Sequence, residues 1–199
     1  MSQSLPLFPL RTVLFPGGVL PLKVFEQRYV DMVKACLAQE APFGVCMLIQ
    51  GEEVLGTSGP DGIEFAGIGT TARITRWDMP QLGILHIAAQ GGERFRVERH
   101  SVERSGLIIG EVVPIAQEPK VALTSAQQPM ARLVELIGGR VGAENFPAPA
   151  DYGDASWVGY RLAEYLPLPL SAKQHMLEIN DAGVRLTVLQ KFLADQKLL

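Results

Sequence analysis

The chain has 199 residues, of which 47% are hydrophobic and 20% charged, and its formal net charge is −3. These values are typical of a globular protein with one domain or two small ones, and the length allows a core that needs neither metals nor disulfides. The negative net charge argues against a general nucleic-acid binder, because such proteins need a basic face to neutralise phosphates.

The first part of the chain predicts short strands with one helix among them. Prolines at positions 6, 9, 16 and 21 divide apolar pieces, and Phe15–Gly18 reads as a turn. A helix is predicted from about Phe25 to Ala38, ending before Pro42, because its apolar residues recur at helical spacing: Tyr29, Met32, Val33, Cys36 and Leu37.

Further strands are predicted up to about residue 115. Alternating or continuous apolar residues mark them at Phe43–Gln50, Ile68–Ile74, Gly83–Ala89, Arg94–Arg99 and Leu107–Ile115. A loop is expected at Gly51–Gly62, and the pair Gly91-Gly92 predicts a tight hairpin between two of the strands. Short strands with glycine turns and one helix indicate a small barrel or pseudo-barrel.

Helices are predicted for the rest of the chain. Ser125 and Gln128 have the spacing of a capping box, and Asp154, Ser171 and Asp181 are each placed to cap a later helix. The predicted fold class is therefore α+β, with a β-barrel subdomain at residues 1–120 and a helical subdomain at residues 121–199.

The sequence also predicts the cellular compartment of the protein and the role of its two cysteines. The N-terminus lacks the basic region of a signal peptide and no apolar run reaches membrane-spanning length, so we expect a cytoplasmic protein with no membrane partner. Cys36 and Cys46 fall on a predicted helix and strand, where they read as small buried hydrophobes. With three scattered histidines they do not make a zinc site.

Candidate catalytic motifs lack the structural context that they need. Gly67–Ala72 fits G-x-G-x-x-A, but strand alternation continues through Trp77 where a dinucleotide site would open a helix. Ser171 and Lys173 lie two positions apart in a predicted helix, so their side chains diverge. His86 reads as a structural histidine within a strand. We expect no catalytic residue, no cofactor and no metal.

Several blocks carry a family resemblance. Leu5–Tyr29 reads LPLFPLRTVLFPGGVLPLKVFEQRY, which is similar almost position by position to the opening of LON substrate-binding domains. The block at Phe43–Val45 resembles the family's second strand, and the blocks at Gly69–Ile74 and Gly91–Phe95 resemble its G-T-x-A-x-I block and its G-x-x-R-F hairpin. Tyr160–Leu168 and the helices after it are similar to its C-terminal part.

The resemblance implies a PUA-like β pseudo-barrel with one interposed helix, followed by a C-terminal helical bundle. It implies a non-catalytic module that binds unfolded polypeptide or a partner protein, without the ATPase and Ser-Lys peptidase domains of Lon proteases, and it allows a homo-oligomer. In the opening motif, Glu26 and Arg28 are expected to brace the start of the helix against the barrel.

Binding is expected through apolar burial in a groove together with backbone hydrogen bonds. The groove is expected either between barrel and helices or along an open barrel edge. The candidate residues are Phe8, Phe15, Pro16, Trp77 and Arg94.

Two alternatives remain open on sequence alone. The first is a PUA-like RNA or nucleotide binder that uses arginines on adjacent strands: Arg73, Arg76, Arg94, Arg96 and Arg99. The second is a small hydrolase, which requires a nucleophile and a base within reach of each other in a polar pocket.

Overall fold

The structure, a computed structural model, describes residues 2–51 and 62–196, so residues 52–61 of the predicted Gly51–Gly62 loop lie outside it. Contacts divide the chain into two compact units, unit 1 (Met1–Ala116) and unit 2 (Gln117–Leu199). The described part of unit 1 forms six strands and one helix: β1 (Gln3–Leu10), β2 (Val19–Val24), α1 (Gln27–Gln39), β3 (Phe43–Gln50), β4 (Glu64–Gln81), β5 (Ile84–Val102) and β6 (Ile108–Pro114). The α+β class is as predicted.

The strands of unit 1 form one sheet with the order β2-β5-β4-β3-β1-β6, in which β5 also pairs with β6. Five strands therefore make a closed ring, β1-β3-β4-β5-β6, and β2 joins it on the first half of β5. The β1–β3 pair is parallel, as expected for strands separated by a helix, and the other pairs are antiparallel.

Two apolar clusters occupy unit 1. The larger one joins the buried face of α1 to the sheet and includes Phe8, Val33 and Phe43. The smaller one takes residues from every strand of the ring and is centred on Phe95. A Cβ on Gly44 or Gly69 would lie 2.8 Å from Phe95 Cζ, so these glycines make room for its ring.

The hairpin predicted at Gly91-Gly92 is wrong, because β5 runs through both glycines without a turn. The β4–β5 turn lies at Leu82-Gly83, where Gly83 has φ +80°. Gly91 instead allows a close backbone approach: its O accepts from Gly17 N and its N donates to Gly18 O, each at 2.8 Å. A Cβ on Gly91 would collide with Phe15 O, so the glycine serves packing rather than chain reversal.

The start of α1 is held by Arg28, as the sequence predicts. Its Nη1 donates to Gly106 O in the β5–β6 turn at 2.8 Å, and its Nε donates to Glu26 Oε2 at 3.1 Å. The guanidinium also lies 4.3 Å from the centre of the Tyr29 ring. Arg28 is buried, so these contacts replace its hydration.

Within its described residues, unit 2 contains a short 3₁₀ turn and four helices: α2 (Gln128–Val141), α3 (Ala155–Tyr165), α4 (Leu170–Glu178) and α5 (Ala182–Asp195). Helix α3 contacts each of the other three. The predicted caps Asp154 and Asp181 accept hydrogen bonds from Trp157 N and Val184 N. The other two predicted caps are wrong, because Thr124 precedes the 3₁₀ turn and Pro169 precedes α4.

A buried ionic network connects α3 and α5 to the segment that precedes α2. Arg185 Nη1 donates to Glu118 Oε2 at 2.9 Å, and Tyr160 Oη and Ser156 Oγ donate to the two oxygens of the same carboxylate. Burial acts to raise the pKa of Glu118, but the hydrogen bonds and charge of Arg185, with Tyr160 and Ser156, outweigh it and lower the pKa. Glu118 is therefore a charged anchor within unit 2.

Candidate functional site

The last turn of α1 forms the wall shared by two clefts in unit 1. The helix ends at Glu40, whose φ of +51° turns the chain out of the helix, and Ala41 N closes the turn by donating to Cys36 O at 3.0 Å. Pro42 then leads directly into β3. Cys36 and Ala41 border both clefts, and the sheet residues that line them come from β1 and β6 in one cleft and from β4 in the other, on either side of β3 in the strand order.

The first cleft, here called the β4 cleft, has a volume of about 420 Å³ and separates the end of α1 from the middle of β4. Arg73 crosses it, since its Nη1 donates to Glu40 O. The cleft is lined by four residues from each side: Cys36, Leu37, Glu40, Ala41, Arg73, Ile74, Thr75 and Trp77. Its walls are thus mixed, with apolar surface next to a strand backbone.

The second cleft, here called the β1–β6 cleft, has a volume of about 350 Å³. Residues 3–6 of β1 and Leu107 and Ile109 at the start of β6 form one side, and α1 forms the other through Met32, Ala35, Cys36 and Gln39. This cleft lies against strands that are paired within the ring, so it offers side chains more than strand backbone.

An apolar hairpin end adjoins the β4 cleft. Trp77 has 57% of its surface exposed, and Met79 and Leu82 follow on the same hairpin, with Leu82 92% exposed at the turn. Exposed apolar side chains that adjoin one another are more informative than scattered ones, since contiguous patches mark interaction surfaces.

The cysteines do not supply chemistry to the clefts. Cys36 and Cys46 are buried and free, as the sequence predicts. Burial raises the pKa of the Cys36 thiol, and it raises that of Cys46 to about 12. Cys36 Sγ donates to Pro42 O at 3.9 Å. At neutral pH both residues are uncharged thiols, which are poor nucleophiles.

The five candidates from the sequence do not form one site. Phe8 is buried and stacks on Tyr29 with ring centres 3.8 Å apart, and Phe15 is fully buried in the turn that contacts Gly91. Pro16 is half-buried in that turn, and Arg94 is buried with 4% exposure. Trp77 alone among them lines one of the two clefts.

The cleft residues Leu37, Ile74 and Thr75 were not candidates in the sequence. Leu37 and Ile74 belong to regular apolar patterns, and such patterns indicate core residues. The available signal was length: strand alternation continues from Ile68 to Trp77, which is longer than β3 can pair. Where β4 extends beyond the end of β3, one edge of β4 is exposed.

Three of the five arginines proposed to bind RNA are buried or bonded to other residues of the chain. Arg94 is buried, and Arg99 is paired with Glu111 through contacts of 2.8 and 3.1 Å. Arg73 is directed to Glu40 O. The arrangement therefore does not favour the RNA interpretation.

In the part of the chain that the structure describes, the side chains that could bind a metal ion or act as nucleophile and base are not brought together. Within residues 2–51 and 62–196, no group of three or more histidine, cysteine or acidic residues could hold a metal ion. Lys173 Nζ donates to Glu164 O at 2.6 Å, while Ser171 is exposed. Gly67–Ala72 lies within β4, as the strand interpretation predicts. Over the same described residues, no helix has the length and hydropathy required to cross a membrane.

Comparison with known proteins gives a consistent result along the chain. Residues 4–195 match the family model described as the ATP-dependent protease La (LON) substrate-binding domain. A Lon protease from Amoebophilus asiaticus is 28% identical over 194 residues, which cover 91% of this chain and 22% of that protein. A Lon protease from Brevibacillus choshinensis is 22% identical over 203 residues, 98% of this chain and 25% of that protein. The chain thus spans about a quarter of the length of these curated relatives.

Solved structures match over nearly the whole chain. A Lon N-terminal domain protein from Xanthomonas campestris is 34% identical with a TM-score of 0.74, covering 95% of this chain and 98% of that one. The N-terminal domain of a Lon protease from the Mycobacterium avium complex has a TM-score of 0.64 at 18% identity, covering 97% and 99%. The second match shows a shared fold.

Proposed function

Because the chain belongs to the LON substrate-binding domain family, we propose that it is a non-catalytic module that binds exposed segments of unfolded polypeptide. The observation that carries the proposal is the position of Trp77, which is 57% exposed and forms a wall of the β4 cleft. A large aromatic ring beside an open cleft is the kind of residue that dominates binding energy in protein complexes.

The architecture assigns each unit a part in this proposal. We interpret the closed ring of strands with α1 and β2 as a PUA-like pseudo-barrel that presents the binding surface. We interpret the four helices of unit 2 as a helical bundle. The subdomains at residues 1–120 and 121–199 stay part of the proposal, and the two compact units meet at Ala116 and Gln117.

The proposed role is to bind and present polypeptide in the cytoplasm, with any cleavage left to catalytic domains of the kind found in full-length Lon proteases. Self-association into a homo-oligomer would place several copies of the β4 cleft on one assembly. Linked sites of this kind strengthen binding to a long unfolded chain without any new contact.

The test is a titration of the full chain against an unfolded probe, reduced and carboxymethylated α-lactalbumin carrying a fluorescent label. We expect saturable binding by fluorescence anisotropy, and weaker binding or none to native α-lactalbumin. Trp77→Ala should weaken binding by about tenfold, since a buried aromatic anchor contributes more than about 1 kcal/mol.

A matched control tests whether loss of binding is specific. Phe25 lies just after β2, outside both clefts, and is 53% exposed, close to the value for Trp77. Phe25→Ala should leave binding unchanged. Failure of the folded wild-type chain to bind the unfolded probe would exclude the proposed function.

A further inference from the structure

The segment that connects β6 to the helices is attached to unit 2 as a strap, here defined as residues 117–124. It follows β6, which ends at Pro114, and the 3₁₀ turn before α2 begins directly after Thr124. Most strap residues are exposed, and only Glu118 and Leu123 are partly buried. The strap therefore buries little apolar surface, so polar contacts supply most of its attachment.

Glu118 is the anchor that reaches between the helices. Only 4% of its side chain is exposed, whereas Lys120, which pairs with Asp151 at 2.7 Å, has 82% of its side chain exposed. The Glu118 carboxylate accepts hydrogen bonds from side chains of α3 and α5: Ser156, Tyr160 and Arg185. Loss of one partner from a buried ion pair costs far more than loss of one from an exposed pair, so Glu118 is the main anchor of the strap.

The remainder of the strap is attached to the start of α3 by backbone hydrogen bonds. Val121 N donates to Asp154 Oδ1 at 3.3 Å, and Val121 O accepts from Ala155 N at 2.8 Å. Leu123 N donates to Gly153 O at 3.3 Å. Because Val121 is 44% exposed, water can compete for these bonds, and segments held in this way belong to the less stable parts of a structure.

The helices of unit 2 have a core that does not include the strap. Val158 and Leu162 in α3 and Leu186 in α5 are completely buried, and α3 contacts each of the other helices. The N-terminus of α3 is capped by Asp154, which accepts from Trp157 N at 3.1 Å. Since these contacts are made between helix residues and a helix cap, they persist when the strap is detached.

The strap also sets the length of chain that joins the two units. Ile115 is fixed within unit 1, where its N donates to Arg94 O at 2.9 Å, and Glu118 is fixed within unit 2. The chain from Ile115 to Glu118 can span at most about 10 Å. With the strap detached, the chain can extend as far as Thr124, which forms a capping box with Gln127, and the span rises to about 30 Å.

We propose that residues 117–124 form a releasable strap, latched by the Glu118 carboxylate, that opens as a unit while the four helices stay folded. Opening lengthens the connection between the units and leaves Arg185 without its carboxylate partner. The inference goes beyond the proposed function and is independent of it, because it concerns contacts within unit 2.

The first experiment measures native-state amide hydrogen exchange of the full wild-type chain by NMR, at urea concentrations below the unfolding transition. Exchange through a small local opening changes little with urea, whereas exchange through unfolding of the helices accelerates, because unfolding exposes more surface. We expect the weak dependence for the amides of Val121, Leu123 and Ala155, and the strong one for those of Leu162 and Leu186.

Two results of this experiment would overturn the inference. An equal urea dependence in the two groups of amides would show that the strap opens only together with the helices. Strap amides that exchange without any protection would show that the strap is not latched.

The second experiment tests the latch by removing its charge. Glu118→Gln keeps the size of the side chain, and we expect the strap amides of this variant to exchange about a hundredfold faster than in the wild type. The amides of Leu162 and Leu186 should remain the more strongly protected group, because the helices stay folded. Strap exchange at the wild-type rate would exclude Glu118 as the latch.

A matched variant removes the exposed ion pair of the same strap. Lys120→Ala should accelerate strap exchange by less than about fivefold, since exposed pairs contribute little. An acceleration equal to that of Glu118→Gln would overturn the assignment of the latch to Glu118. The first experiment uses the wild-type chain, so it decides the inference even where a variant does not fold.

Discussion

Arg185 Nη1 in α5 donates to Glu118 Oε2 over 2.9 Å, although the two residues are 67 positions apart in sequence. Both side chains are buried, and Arg185 also donates from Nε to Met176 O at 3.0 Å. A buried guanidinium is tolerated only where charge and hydrogen bonds replace its hydration. This pair therefore holds the segment before α2 against α5.

Removal of the carboxylate should destabilise unit 2. Glu118→Ala leaves the Arg185 charge buried without its counter-ion, and we expect the free energy of unfolding to fall by about 3 kcal/mol. Urea unfolding, followed by Trp157 fluorescence in a Trp77→Phe background, measures this loss of unfolding free energy.

The exposed ion pair Lys120–Asp151, at 2.7 Å, supplies the control. Lys120→Ala should cost less than about 1 kcal/mol, and equal losses for the two variants would contradict this account.

The same carboxylate should make stability depend on acid pH. Because folding lowers the pKa of Glu118, its contribution is fully present above the unfolded pKa of about 4.3 and is lost as pH falls through the folded value. Urea unfolding of wild type and Glu118→Gln across this range should show a stability difference that narrows on acidification. A difference that stays constant with pH would exclude the ion pair as its source.

Gly91→Ala should destabilise unit 1, because the new Cβ would collide with Phe15 O in the turn that is hydrogen-bonded to Gly91. We expect a loss of about 2 kcal/mol or more. Exposure of Cys36 and Cys46 to a thiol reagent during urea unfolding reports on this unit. In the matched variant Gly67→Ala, the Cβ has no neighbour within 4 Å, so stability should change little. Comparable losses of unfolding free energy in both variants would indicate that these strands do not tolerate an added methyl group at either glycine, contrary to the packing argument.

Sequence patterns predicted the helices and strands whose limits are set by interactions between residues close together in the chain. The apolar stripe and Pro42 bounded α1 to within two residues, and the apolar run bounded β3 at both ends. Asp154 and Asp181 were recognised as caps because their carboxylates bind amides three residues on. Gly91 was misread because a glycine that makes room for a neighbouring backbone has the same sequence signature as a glycine in a turn.

The candidate site was predicted only through Trp77. The groove beside Trp77 depends on β3 pairing no further than Ala72 and on α1 ending next to the exposed edge of β4. Both are tertiary relationships between segments more than 25 residues apart. Apolar periodicity and capping residues report only on local structure, so they could not predict these relationships. Phe8, by contrast, lies in the core against α1, so its place in the opening motif reflects how the core is built.

Arg28→Lys should weaken the attachment of α1 at its start. The guanidinium makes three contacts at once, to Gly106 O, to Glu26 and to the Tyr29 ring, and a lysine amine on a single stem cannot reproduce this planar arrangement. We expect a loss of about 2 kcal/mol in unfolding free energy, since Gly106 O and Glu26 would lose charge-assisted partners in a buried site. Lys34→Ala, on the exposed side of the same helix, should change stability by less than about 0.5 kcal/mol. Because the contact to Gly106 joins α1 to the β5–β6 turn, hydrogen exchange in the first turn of α1 should increase in Arg28→Lys and not in Lys34→Ala. Unchanged exchange there, together with wild-type stability, would show that the helix start is held by apolar packing alone.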